Sequence, residues 1–70
     1  MTELIFEVVE DAESGLRASA IGYPIHTFGN DEAELRAMVQ EAVDSYFTGP
    51  EGPRPSIVRL HFVRDEVLTW

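Results

Sequence analysis

The sequence predicts an α+β domain of order β-β-β-α-β, with one helix packed on one face of an antiparallel sheet. Three observations carry that prediction. Residues 4–10 (LIFEVVE) place Leu, Phe and Val at every second position, as a half-buried strand does. Residues 32–47 carry apolar side chains at helical spacing. Residues 56–64 (SIVRLHFVR) alternate again. Seventy residues without repeat, linker or low-complexity stretch make one domain, 1–70.

In the first strand Leu4, Phe6 and Val8 share a face. Residues 10–15 (EDAESG) read as a hairpin turn, and residues 16–22 (LRASAIG) as the return strand. There Leu16, Ala18 and Ala20 line one side, small enough for a helix to lie close. Gly22, Tyr23 and Pro24 break the run, and residues 25–28 (IHTF) form a short third strand. Gly29 and Asn30 suit a turn. Asp31 is a favoured N-cap and Glu34 follows three positions later, the spacing of a capping box with Asp in place of Ser or Thr.

The helical stripe is Leu35, Met38, Val39, Ala42 and Tyr46, widened by Val43 and Phe47. Glu34, Arg36, Glu41 and Asp44 take the wet side. Glycine and proline in residues 48–55 (TGPEGPRP) stop the helix. In the last strand Val58, Leu60 and Phe62 face one way, Arg59 and His61 the other. Its expected place is the sheet edge or beside the first strand. Residues 65–70 (DEVLTW) fit either a strand extension or a tail whose Val67, Leu68 and Trp70 pack on a neighbour. The sheet face away from the helix would carry Ile5, Glu7, Val9, Ile57, Arg59, His61 and Val63, a mixture apolar enough to predict cover by a partner.

A chain of this length buries only about 60% of its unfolded surface and needs support. With no cysteine, disulfides and thiolate metal sites are excluded. A homodimer or higher homo-oligomer is therefore expected, with Ile57, Arg59, His61, Val63 and Trp70 near the contact. The amino terminus lacks the pattern of a signal peptide, and no apolar run approaches the ~20 residues of a membrane span. The expected location is the cytoplasm, with no membrane partner. Formal net charge is -8, with five arginines and no lysine. Such a surface repels phosphate backbones, which argues against direct nucleic-acid binding, and attracts a basic protein.

No catalytic, cofactor or metal constellation is expected. His26 and His61, the two histidines, lie on separate strands without a carboxylate at ligand spacing. Glu10, Asp11 and Glu13 crowd a turn but lack calcium-loop spacing. Glu7, Asp11 and Asp31 are the one conceivable nuclease-like set. Ser14, Ser19, Ser45 and Ser56 sit in no nucleophile elbow. Tyr23, Phe28, Tyr46, Phe47 and Trp70 lie on different elements without interleaved cations, as packing residues do and a base-stacking platform does not.

Gly15-Leu16-Arg17-Ala18 at the hairpin return and Thr27-Phe28-Gly29-Asn30-Asp31-Glu32-Ala33-Glu34 at the helix start resemble the HicB antitoxin family, whose T-x-G-x-(T/S/D)-x-x-E signature opens a single helix. Thr27, Gly29, Asp31 and Glu34 are its matching positions, and the ending VRLHFVRDEVL is similar to that of short, stand-alone relatives. The segment GYPIHTFG departs from the family's proline-rich, cysteine-containing stretch, and no helix-turn-helix or ribbon-helix-helix follows within these residues. The resemblance implies a truncated RNase H-like fold without nuclease carboxylates. It also implies a non-enzymatic role: binding and neutralising a small basic RNA-cleaving toxin of a type II toxin–antitoxin system. An orphan interaction or regulatory module, and more remotely a small metal-dependent nuclease, are the alternatives.

Overall fold

The computed structural model describes residues 3–11, 13, 15–48, 52–64 and 67–70. Its elements follow the expected order: β1 Glu3–Asp11, β2 Gly15–Ala20, β3 His26–Gly29, α1 Glu32–Tyr46 and β4 Ile57–Val63. Ala12 and Ser14 in the expected hairpin tip, residues 49–51 of the loop and residues 65–66 lie outside the described residues.

One four-stranded sheet has the order β3-β2-β1-β4. β1 pairs antiparallel with β2, Phe6 facing Ala20 and Val8 facing Ala18, and β2 pairs antiparallel with β3. β4 lies at the edge beside β1, as expected, but runs parallel to it, with Leu4 opposite Val58 and Phe6 opposite Leu60. The sheet is therefore mixed, not wholly antiparallel. Two reversals make β3 run with β1, α1 carries the chain back, and the next strand must set out in β1's direction. A helical crossover joins parallel strands for this reason.

The core lies between the sheet and α1: Leu4, Phe6, Val8, Ala18, Ile25, Leu35, Val39, Val43 and Phe47 are all buried. The expected helical stripe is the buried one, though Val43 and Phe47 sit deeper than Met38 and Ala42. Phe47 is the C-cap, its N–H bonding the Val43 carbonyl at 3.0 Å, so the helix ends one residue short of the expected limit. Tyr23, Tyr46 and Phe47 pack as an aromatic triplet with ring centroids 5.0 to 6.0 Å apart, fastening the β2–β3 turn to the end of the helix.

α1 lies nearest β3 and β2. A helix about 10–12 Å wide cannot roof four strands spaced at about 4.8 Å. β4 is the strand left out: on its helix-side face Val58 is 37% and Phe62 46% exposed.

Candidate functional site

The stretch that opens the helix is a complete cap. Asp31 Oδ1 accepts the Glu34 N–H at 2.8 Å, and Glu34 Oε1 accepts the Asn30 N–H at 2.8 Å. The reciprocal bond thus reaches one residue further out than in the usual capping box, whose acid bonds the N-cap N–H itself. The Asp31 carbonyl starts the helical ladder by accepting the Leu35 N–H at 2.9 Å. Thr27 is buried just before this turn.

Two glycines let three elements converge here. A Cβ on Gly29 would stand 2.5 Å from the Leu35 nitrogen, so only glycine lets the end of β3 meet the first turn of α1. Gly15 has φ +86, and a Cβ on it would stand 2.7 Å from the Gly29 carbonyl oxygen. The β1–β2 hairpin is thereby pressed against the helix start.

That convergence joins two acidic segments that are far apart in the chain. Glu10 and Asp11 from β1 and Asp31 and Glu32 from the helix start line one shallow cleft with Gly15, Leu16 and Asn30. Asp11 is built into the turn, its Oδ1 accepting the Glu13 N–H at 2.9 Å and its Oδ2 lying 3.7 Å from Arg17. Arg36 lies 3.7 Å from Glu32, Arg54 3.0 Å from Asp44, and Arg59 2.6 Å from Glu3, all exposed pairs. Four of the five arginines thus lie against carboxylates, and much of the acidic excess collects at the hairpin and helix-start end of the molecule.

The register brings together residues that the sequence alone does not. His26 faces Ser19, Ser19 faces Glu7, and Glu7 faces His61, so both histidines stand in one row across the open sheet face. His26 Nδ1 lies 3.1 Å from Ser19 Oγ. Three strand spacings separate the imidazoles, roughly 14 Å, which is beyond sharing one metal ion. Among the described residues no three His, Cys, Asp or Glu side chains gather as a metal site. Tyr23, Tyr46 and Phe47 pack together, whereas Phe28 and Trp70 are exposed.

Of the residues expected at a partner contact, Ile57, Arg59, His61 and Val63 occupy β4 on the face away from the helix. Arg59 is held there, its Nε and Nη2 donating to Glu3 Oε2 at 2.9 and 2.6 Å. Trp70 is fully exposed beyond the sheet. Sequence reasoning missed the other face of the same strand, where Val58, Leu60 and Phe62 are left only partly covered. Their alternation marks a strand, but nothing in it says that the helix stops short of them.

A mixed sheet carrying a single helix defines a small α+β domain. Over 50 residues the chain is 38% identical to a UPF0150 protein of Archaeoglobus fulgidus, a match spanning 71% of this chain and 73% of that protein. The chain belongs to the UPF0150 family. No family model matches the chain. No solved structure matches it either. No helix among the described residues is long and apolar enough to cross a membrane.

Proposed function

We propose that this chain is a non-catalytic, HicB-like protein-binding domain that neutralises a small basic RNA-cleaving toxin of a type II toxin–antitoxin system. One observation carries the reading furthest: the acidic end at which the β1–β2 hairpin and the helix start share a cleft. Opposite charge draws a basic protein to that end and orients it before contact. An RNA-cleaving toxin must itself present cations to phosphates, so an acidic protein competes for the same surface. Asp31 and Glu34 are occupied as cap acceptors, and Asp11 as a turn acceptor. Membership of the UPF0150 family supports the reading, together with the Thr27, Gly29, Asp31 and Glu34 signature.

The test is a pull-down from the native cell at low and moderate salt, run beside gel shifts with DNA and RNA. The expected result is a small basic protein, retained less well as salt rises, whose toxicity on expression is relieved by this chain. Tight nucleic-acid binding with no protein partner would sink the proposal. Recovery of a partner that is not toxic would move the assignment to an orphan regulatory module.

A further inference from the structure

β4 closes one side of the sheet, and no described strand pairs with its outer edge. A seven-residue edge offers a row of N–H and C=O groups to any strand that approaches. Proteins blunt such edges with charge, with proline or by covering them. Here the helix-side face is wholly apolar, with Val58, Leu60 and Phe62, while on the other face Ile57 and Val63 flank Arg59 and His61. Among the described residues, most of the exposed large apolar side chains lie on β4 or at 67–70.

The charge pattern says what fits this edge. Residues 52–64 contain no aspartate or glutamate, in a chain of net charge -8. Arg59 is already neutralised by Glu3 of its own β1, and His61 stands opposite Glu7. β4 is therefore an edge where two copies of an acidic protein can meet without setting carboxylates of the paired strands against each other.

We propose that two copies join through β4, antiparallel about a two-fold axis at Leu60, into one continuous eight-stranded sheet. Opposed side chains must point to the same face, so the axis has to fall at a residue and not between two. Leu60 is the midpoint of Ile57–Val63, and an axis there pairs the whole strand. It sets Val58 opposite the partner's Phe62 and Ile57 opposite the partner's Val63, the apolar cross-strand pairs that stabilise sheets. An axis at Arg59 would instead set two guanidinium groups side by side. The inference does not depend on the toxin reading, since the dimer uses the edge farthest in the sheet order from β3 and the helix start.

Sedimentation equilibrium of the full chain tests it. The wild type is expected to be a dimer at micromolar concentration. Val58→Asp and Phe62→Asp should each weaken association roughly tenfold or more, as loss of an interface anchor does, with circular dichroism unchanged. The absence of native cysteine allows a second, geometric readout. A short bismaleimide should join two copies of Leu60→Cys, and should join Val58→Cys to Phe62→Cys in a mixture but neither to itself. A wild-type monomer at high micromolar concentration overturns the proposal. So does a dimer in which Phe62→Asp associates unchanged and Leu60→Cys fails to cross-link.

Discussion

Asp31 accepts one N–H of the first helical turn, and its function as cap or as ligand can be separated by two substitutions. Asp31→Ala removes the acceptor and should cost about 1 kcal/mol, whereas Asp31→Asn keeps an acceptor and should cost far less. A metal ligand would lose its affinity in both. Urea denaturation of the two variants, with calorimetric titration of Mg²⁺, Mn²⁺ and Zn²⁺ into the wild type, decides between them. A micromolar metal site that vanishes with either change would defeat the cap. Gly29 makes a harsher prediction. Gly29→Ala places a Cβ within 2.5 Å of a backbone nitrogen that has no freedom to yield, because Leu35 is already in the helix. The expected loss is about 1–3 kcal/mol, as for other overpacked sites, read from the urea midpoint. Both residues were legible in the sequence because capping and turn chemistry are local. What was not legible is that Gly29 is excluded from substitution by a neighbour in space, and not by its own φ.

At the scale of elements, alternation and helical spacing located every strand and the helix to within about two residues, a margin expected of element ends. The direction and exposure of β4 were not recoverable in that way. An alternating pattern reads the same in either direction, and cover depends on where a fifteen-residue helix lies across four strands. The shared acidic cleft escaped for a related reason: its two halves meet through the pairing of Leu16 with Gly29 and the close approach of Gly15 to Gly29 and Asn30. The helix in turn is anchored by few side chains. Phe47 is buried and touches both Tyr23 and Tyr46, so Phe47→Ala should lose about 3 kcal/mol or more. For so small a domain that is a large part of the whole, since total stability is about 5 kcal/mol at the low end of ordinary proteins. Loss of the cooperative thermal transition is the expected outcome; a transition shifted by only a few degrees would show that the aromatic triplet does not fasten the helix.

For the whole molecule, charge is the property that the sequence states most directly and the fold refines. Thirteen acids against five arginines set the sign, while the hairpin and helix start bring four of those acids to one cleft. Glu10 and Glu13 are exposed there, which makes them the right positions for charge reversal. Glu34 is unsuitable, because its carboxylate holds the Asn30 N–H, and Asp44 is engaged with Arg54. Glu10→Lys with Glu13→Lys should leave stability within about 0.5 kcal/mol, since exposed charges contribute little to it. Association with a basic partner should slow by roughly tenfold at low salt while dissociation changes much less, because rim charges act on encounter. Raising ionic strength to physiological values shortens the Debye length to about 8 Å and should bring the wild-type and variant association rates together. Stopped-flow measurement across a salt series reads both effects. Equal association rates at low salt would remove the acidic end from the recognition surface and leave the partner to some other face of the sheet.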